Sequence, residues 1–309
     1  EIYYTTDRTI PSKTNPTAKK YNGSPIHAEQ TLIIYAVAYS EGRYRSSVSS
    51  FASIVAPLAP ESVLTVSDDG VLTSYNGTAS SFTIPDKVNG ITVTAIGEYA
   101  FANDCFISEV ILPASITEIR SYAFSCCENL KTIYSNKVKV IGDYAFEDCT
   151  MIKNMFLMAA IEKIGKYSFA NVGSVQNMIS GATFRLNLEK LTEIPEGAFM
   201  NSAISEIELG SVSSIGANAF SGCNQLVFVH INDLFNMPRN CFKGCKALTE
   251  VEIHGLEYIP SSAFYSCDNL VVVSFPDATK LFPKKSEKAG LASIILSSSV
   301  WLRVPVTLV

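Results

Sequence analysis

The sequence predicts a mainly-β solenoid of about eight short repeats, preceded by a small β-sandwich module. A six-residue motif recurs at near-constant spacing, an alternating apolar pattern follows most copies, and the first 54 residues carry neither pattern. Of the 309 residues, 47% are hydrophobic and 17% charged, so the chain can bury a sizeable core. The net charge of −5, without any cluster of basic residues, argues against nucleic acid as a partner. The sequence contains no run of 18 apolar residues, so no membrane-spanning segment is predicted.

The recurring motif is typified by residues 141–146, which read IGDYAF. Eight such hexapeptides end in phenylalanine, and the successive spacings between these phenylalanines are 23, 22, 23, 30, 21, 22 and 22 residues. The 30-residue step indicates an insertion near residues 170–184. The eight phenylalanines are Phe101, Phe124, Phe146, Phe169, Phe199, Phe220, Phe242 and Phe264.

A second pattern, apolar-x-x-apolar-x-apolar, follows the hexapeptide, as in Leu226-x-x-Val229-x-Ile231. Its last two apolar positions alternate with a variable one, which is the period of a strand with one buried face. This kernel and the spacing of 22–23 residues are typical of a leucine-rich repeat. We therefore predict a right-handed superhelix with short strands along one side and the hexapeptide forming a turn or short helix on the other.

Shifts in pattern and composition divide the chain into five parts. The alternating strands at the start indicate a small β-sandwich, and a proline-bearing linker follows it. Strands and turns without the hexapeptide then indicate a cap, because the end of a solenoid exposes a core face. The predicted bounds are 1–54 for the sandwich module, 55–61 for the linker, 62–90 for the N-terminal cap, 91–276 for the repeats and 277–309 for a degenerate C-terminal cap.

Five of the eight cysteines lie three residues after a repeat phenylalanine, and Val172 and Ser202 take the same place in other repeats. A position that accepts cysteine, valine or serine is small and buried, so we favour packed free thiols. A disulfide between neighbouring repeats is a second possibility, since stacked strands lie about 5 Å apart. Zinc is the least favoured, because no two pairs of cysteines have ligand spacing. The five are Cys127, Cys149, Cys223, Cys245 and Cys267.

The outward residue between the two buried strand positions of each repeat forms a predicted ladder, and this ladder is the candidate binding face. Its carboxylate–imidazole–carboxylate portion could be a divalent-metal site or an acid–base pair, but we favour a solvated polar ladder and predict no metal. Its apolar portion is either an exposed interaction strip or is covered by neighbouring loops. The ladder consists of Ile111, Tyr134, Phe156, Asn187, Glu208, His230, Glu252 and Ser274.

Familiar catalytic and cofactor motifs are missing from the sequence. It has no G-x-S-x-G, H-E-x-x-H, G-x-x-x-x-G-K-[ST] or G-x-G-x-x-G segment, and no carboxylate pair stands out as a glycosidase pair. We therefore predict that the protein is not an enzyme and uses no cofactor.

The unit I-G-x-x-A-F-x-x-C-x-x-L-x-x-I-x-L resembles the BspA-like leucine-rich repeat family over roughly residues 62–276. Residues 1–54 are similar to the chitobiase/β-hexosaminidase C-terminal-like module, a fibronectin-type-III-like sandwich that often serves as a spacer and has no transferable catalytic residues. The strands that usually precede this motif are absent, so the resemblance implies a partial module. Members of the BspA-like family are mostly secreted or surface proteins of bacteria and of some protozoan parasites. The resemblance implies a secreted or cell-surface location and adhesion to a protein or glycan.

We accordingly predict a non-enzymatic surface protein that binds a host or bacterial protein or glycan on the concave face of the solenoid. The alternative is a carbohydrate-binding accessory region of a larger glycan-degrading surface protein, and a structural surface-layer component is a weaker third choice. The first residues show no signal-peptide pattern and begin within a strand, so we expect a mature or trimmed form.

Overall fold

The computed structural model separates the chain into two compact units, Glu1–Leu58 and Ala59–Val309. Each is described by itself. The described residues are 2–5, 13, 15–21, 32–38, 49–53, 56–135, 137–174, 183–260, 262–277, 280–281 and 301–303.

The first unit contains an antiparallel four-stranded sheet in the order β2-β1-β3-β4. In its centre, Tyr3 is paired with Val37 and Tyr4 with Ala36. The described residues thus form one sheet of the kind that a sandwich requires. Its strands are Ile2–Thr5 (β1), Lys19–Lys20 (β2), Leu32–Ala38 (β3) and Ser49–Ser53 (β4).

The second unit is built from short strands and turns, after a single 3-10 turn at Glu61–Val63. The strands before the insertion are Leu64–Val66 (β5), Val71–Tyr75 (β6), Ser81–Thr83 (β7), Lys87–Val88 (β8), Ile91–Thr92 (β9), Ala95–Ile96 (β10), Glu109–Ile111 (β11), Glu118–Ile119 (β12), Thr132–Ser135 (β13), Val140–Ile141 (β14), Asn154–Ala160 (β15) and Thr183–Asn187 (β16). Those after it are Glu193–Ile194 (β17), Glu206–Val212 (β18), Ser214–Ile215 (β19), Phe228–Leu234 (β20), Glu250–Ile253 (β21), Tyr258–Ile259 (β22), Val272–Ser274 (β23), Lys280–Leu281 (β24) and Trp301–Arg303 (β25).

Strands one repeat apart pair in parallel, which confirms the predicted solenoid. Two sheets line one side: long-strand sheet 1 has the order β16-β15-β13-β11-β7, and long-strand sheet 2 the order β18-β20-β21-β23-β25. Shorter strands line a second side in the order β14-β12-β10-β6-β5, followed by the pairs β17-β19 and β22-β24. The antiparallel pairs β5-β6 and β8-β9 lie in the predicted N-terminal cap, where they end the parallel stack.

The hexapeptide forms a third side made of successive turns rather than a helix. Its backbone still bonds from repeat to repeat: the Phe101 amide donates to the Ala123 carbonyl at 2.9 Å, and the Phe124 amide to the Ala145 carbonyl at 2.8 Å. The eight repeat phenylalanines are buried and stack as a column, with neighbouring ring centroids 4.8–5.7 Å apart. This column is the centre of a continuous apolar core.

The insertion interrupts the sheets but not the turn side. Long-strand sheet 1 ends at β16 and long-strand sheet 2 begins at β18, whereas the rings of Phe169 and Phe199 stack at 5.2 Å across the insertion. The Phe169 amide also donates to the Ala198 carbonyl at 2.8 Å. The turn side is therefore continuous across the insertion; residues 175–182 lie outside the described residues.

The stack of strands continues into the segment predicted as a degenerate C-terminal cap. Tyr258 is paired in parallel with Lys280, and Val273 with Leu302. Strands β24 and β25 therefore add to both strand sides.

All eight cysteines are free thiols. The five at the recurring position are buried, as the packed-thiol interpretation requires, and Val172 and Ser202 are buried in the same place. The alternative disulfide between neighbouring repeats is not formed.

Candidate binding face

Long-strand sheet 2 carries two rows of outward side chains because successive strand residues point to opposite sides. Its inward residues, such as Val229 and Val251, are buried in the core. The parallel register brings the outward residues of neighbouring strands opposite one another. The first outer row is Glu206, Phe228, Glu250 and Val272, and the second outer row is Glu208, His230, Glu252 and Ser274.

The second outer row contains a connected set of polar contacts centred on Glu252. One carboxylate oxygen lies 3.3 Å from His230 Nδ1 and the other 3.3 Å from His254 Nε2. His230 Nε2 lies 2.7 Å from Asn232 Oδ1, and His254 Nδ1 lies 3.7 Å from Asp277 Oδ2. The two imidazoles therefore bracket one carboxylate, and the contacts fix the orientation of both rings. The predicted stack is formed only in part, since Glu208 is opposite His230 but makes no ion pair in the described part of the chain.

Negative charge dominates this face. Glu206, Glu208 and Glu250 are exposed, and among the described residues none of them pairs with a lysine, arginine or histidine. Phe228 lies between Glu206 and Glu250 and is half-buried. The result is an accessible acidic surface with one aromatic ring in its middle.

Long-strand sheet 1 presents a different surface. Ile111 is opposite Tyr134, and Tyr134 is opposite Phe156. Ile111 and Tyr134 are half-buried rather than fully exposed; the side chain of Phe156 lies outside the described residues. Burial, with a smaller effect of the Glu109 carboxylate, raises the pKa of Tyr134 far above its ordinary value. This phenol is neutral at every physiological pH.

The predicted place of Asn187 in the ladder is wrong. Arg185, not Asn187, lies opposite Phe156, and Asn187 is paired with Ala160 instead. The physical reason is the long repeat: Arg185 follows Phe156 by 29 residues and Asn187 by 31, and a count over repeats of 22–23 residues does not give the offset across the insertion. A register shift between Leu157 and Ala160 then brings Asn187 opposite Ala160. The ladder is also not continuous, because β16 and β18 belong to different sheets.

Family profiles match both parts of the chain. The profile described as BspA type leucine rich repeat region matches residues 74–189 and 192–300, in six copies. The chain belongs to this family. Residues 1–52 of this BspA-type chain match the profile described as Fn3 associated, which agrees with the fibronectin-type-III-related module expected there. Neither description names an enzyme.

Solved structures similar to this BspA-type chain include three bacterial proteins. A leucine rich cell surface protein from Faecalibacterium prausnitzii is 18% identical, with 82% of this chain and 96% of that chain covered and a TM-score of 0.42. A leucine rich repeat protein of T. pallidum is 19% identical, covering 77% and 95%, at a TM-score of 0.32. One from Eubacterium ventriosum is 16% identical, covering 72% and 89%, also at 0.32. Comparison with curated proteins gives no significant match.

The described part of this BspA-type chain contains no group of three or more histidine, cysteine, aspartate or glutamate side chains placed to hold a metal ion. Nor do the described residues include a helix long and apolar enough to cross a membrane. In the polar set around Glu252, the described contacts join histidines to carboxylates and an amide and include no serine, threonine, cysteine or lysine. The arrangement is suited to recognition by charge and hydrogen bonds.

Sequence analysis missed the first outer row and the outer members of the polar set. The missing residues are Glu206, Phe228, Glu250, Val272, Asn232, His254 and Asp277. The signal for most of them was available, because a residue two places before or after an outward residue also points outward. Asp277 lies after the end of β23, where alternation gives no guidance.

Proposed function

We propose that this protein is a non-enzymatic, secreted or cell-surface binding protein, and that long-strand sheet 2 is the surface that binds a partner protein. The observation that carries the proposal is the set of exposed glutamates without cationic partners among the described residues, placed around Phe228. Folding does not require this arrangement, because exposed carboxylates without cationic partners add little to the stability of a fold. The partner is a protein with a basic surface, since opposite charges speed association and select the partner.

The contribution of Phe228 is apolar. It lies at the centre of the first outer row, where water is excluded when a partner covers the sheet. Aromatic side chains surrounded by polar groups are enriched among residues that dominate interface energetics. The glutamates around it would provide the polar rim and the steering charge.

The glycan-binding alternative has less support. It calls for exposed, coplanar aromatic side chains on the strand side, but Tyr134 and Phe228 are each half-buried and belong to different sheets. The Fn3 associated match at residues 1–52 does not favour a glycan over a protein.

The proposal is tested by screening the intact chain against immobilised extracellular-matrix proteins and a glycan array. We expect binding to at least one basic protein, with an affinity that falls as ionic strength rises. The double variant Glu208→Gln/Glu250→Gln should weaken this binding about two- to tenfold, because it removes two charges without changing side-chain size.

The matched control is Glu128→Gln/Glu193→Gln, which removes the same charge from exposed positions outside long-strand sheet 2. It should leave the affinity unchanged. Glycan hits without protein hits, or equal losses in both double variants, would overturn the proposal.

A further inference from the structure

A column of four tyrosines runs along the turn side, away from both long-strand sheets. The rings of Tyr99, Tyr122, Tyr144 and Tyr167 stack face to face, with successive centroids 4.8, 4.8 and 5.2 Å apart and interplanar angles of 6–10°. They lie two residues before the repeat phenylalanines, so this tyrosine column runs parallel to the buried phenylalanine column. Unlike the phenylalanines, all four tyrosines are accessible to solvent.

The tyrosines occupy a backbone conformation that does not suit them. All four have positive φ, between 52° and 58°. A bulky side chain disfavours this left-handed conformation, whereas glycine and asparagine adopt it readily. The equivalent positions of later repeats are Gly197, Asn218 and Asn240, with φ of 61°, 56° and 60°. Glycine or asparagine would therefore form this turn with less strain, and the tyrosines point to a role other than the turn.

The column is closed at one end and open at the other. At the closed end, a Cβ on Gly197 would lie 2.2 Å from the Tyr167 ring, so the backbone of Gly197 covers that ring. The Tyr167 hydroxyl also donates to Glu196 at 3.1 Å. At the open end, Tyr99 is 59% exposed, and its outer face has no stacked aromatic neighbour among the described residues.

The surroundings of the column are acidic. Glu98 precedes Tyr99, and the carboxylates of Asp143 and Glu147 act on Tyr122, where they add to the effects of burial and of the neighbouring tyrosines in raising its pKa. Burial, followed by repulsion from Asp148, raises the pKa of Glu147 itself. Both pKa shifts therefore include a contribution from neighbouring carboxylates, in addition to the larger effect of burial.

The two cations near the column are already paired. Lys166 Nζ lies 3.8 Å from Glu196 Oε2, and Arg120 Nε lies 3.5 Å from Glu118 Oε2. Glu98 and Glu147 have no cationic partner among the described residues. The unpaired carboxylates therefore leave a net negative charge beside the column, which a cationic group of a binding partner would neutralise.

We propose that the tyrosine column is a docking surface for an arginine-rich segment of a partner protein, with one guanidinium stacked on the open face of Tyr99. A planar guanidinium suits both halves of this surface, because it stacks on aromatic faces and also pairs with carboxylates. Further arginines of the segment lie along the ring edges beside Glu98, Asp143 and Glu147. This surface is separate from long-strand sheet 2 and does not depend on its function.

The probe is a fluorescein-labelled peptide of alternating arginine and glycine, compared with a lysine–glycine peptide of equal length and charge. Fluorescence anisotropy with the intact chain at physiological salt should show tighter binding of the arginine peptide. Tyr99→Asn should weaken that binding about two- to fivefold, as expected for loss of one exposed cation–π contact. Tyr99→Phe, which keeps the ring, should retain the affinity.

Asparagine is the matched replacement because it occupies the same turn position in later repeats at the same φ. Circular dichroism and the thermal midpoint check that Tyr99→Asn folds. Tyr265→Asn is the control, since Tyr265 is an exposed tyrosine outside the column. Equal binding of both peptides, or unchanged binding by Tyr99→Asn, would overturn the inference. Loss of binding only in Glu208→Gln/Glu250→Gln would also overturn it, by placing the peptide on long-strand sheet 2.

Discussion

At the scale of single residues, the recurring cysteine satisfies a backbone acceptor. Each of the five thiols donates to the carbonyl of the repeat phenylalanine one repeat earlier; Cys149 Sγ, for example, lies 3.0 Å from the Phe124 oxygen. The spacing of the cysteines predicted that they are buried and small. The spacing could not predict that the thiol donates to a phenylalanine carbonyl, because that contact depends on how neighbouring repeats are positioned relative to each other.

Burial makes the stability of the chain depend on pH through the Cys149 thiol. Burial raises the pKa of Cys149 well above its ordinary value, so the folded chain keeps a proton that the unfolded chain releases in alkali. The stabilising effect is complete below the unfolded pKa, and the free energy of unfolding falls as pH rises above about 8.5. The fall should approach about 1.4 kcal/mol per pH unit for each such thiol.

The measurement is urea unfolding under reducing conditions at pH 7.5 and 9.5. Cys149→Val removes one titrating thiol and uses the side chain that Val172 provides at the same position. Its decrease in unfolding free energy between the two pH values should be smaller than that of the unaltered chain. Identical decreases would show that this thiol does not contribute.

Ser168 differs from the alanine found at the same position of other repeats, and this difference lowers the stability of the fold. It occupies the place of Ala123, Ala145 and Ala198, it is fully buried, and its hydroxyl has no hydrogen-bond partner among the described residues. Ser168→Ala should raise the free energy of unfolding by about 1–2 kcal/mol, because an unsatisfied buried hydroxyl is removed. Chemical denaturation measures the change.

Ser135→Ala is the control, for which the free energy of unfolding should change in the opposite direction. Ser135 is also buried, but its hydroxyl accepts hydrogen bonds from the amides of Lys137 and Val138 at 3.2 and 3.1 Å. This variant should lose about 1 kcal/mol of stability. A loss in both variants would contradict our account of Ser168.

At the scale of elements, the hexapeptide was predicted as a turn or short helix, and it is a run of turns. Seven of the runs use two residues with positive φ, four apart, such as Tyr99 with Asn103 and Asn240 with Gly244. Asparagine and glycine at these places are a recognisable turn signal. Tyrosine has no such preference for turns, so turn propensity alone could not predict the tyrosine column from the sequence.

Gly142 provides a close approach to the preceding repeat rather than an unusual φ. The requirement is local, because other repeats have arginine or proline at this motif position, namely Arg120, Pro195, Pro238 and Pro260. A Cβ on Gly142 would lie 2.4 Å from the Ser121 amide nitrogen and 2.7 Å from the Arg120 carbonyl carbon of the preceding repeat. Gly142→Ala should therefore push neighbouring repeats apart and cost about 1–3 kcal/mol of stability. The shift in the denaturation midpoint measures this effect.

Gly90→Asn is the matched control for Gly142→Ala. Gly90 has a φ of 82°, and a Cβ there would have no atom within 4 Å. Asparagine tolerates positive φ, so this variant should change the stability by less than about 1 kcal/mol. Equal destabilisation by both changes would contradict the close-approach explanation.

At the scale of the whole molecule, the repeat period and the apolar pattern were enough to predict the solenoid and its core. Positions such as Val229 and Phe146 recur in register, and every repeat buries the same two kinds of residue. The ladder failed at Asn187 because the 30-residue repeat shifts its register on the strand side. Residue counting gives the register only where neighbouring repeats have nearly equal length.

Pairing and exposure on the candidate face required three-dimensional information. The sequence placed Glu208, His230 and Glu252 on one row, and the register of long-strand sheet 2 has them opposite one another. That His254 shares the Glu252 carboxylate with His230 depends on side-chain orientation, which no periodicity determines.

Carboxyl footprinting with and without the best-binding matrix protein tests the central claim most directly, since it reads each glutamate separately by mass spectrometry. We predict that Glu206, Glu208 and Glu250 are labelled in the free chain and protected in the complex, whereas Glu128 and Glu193 are labelled equally in both. Protection of Glu128 or Glu193, with unchanged labelling of the three glutamates on long-strand sheet 2, would contradict the claim.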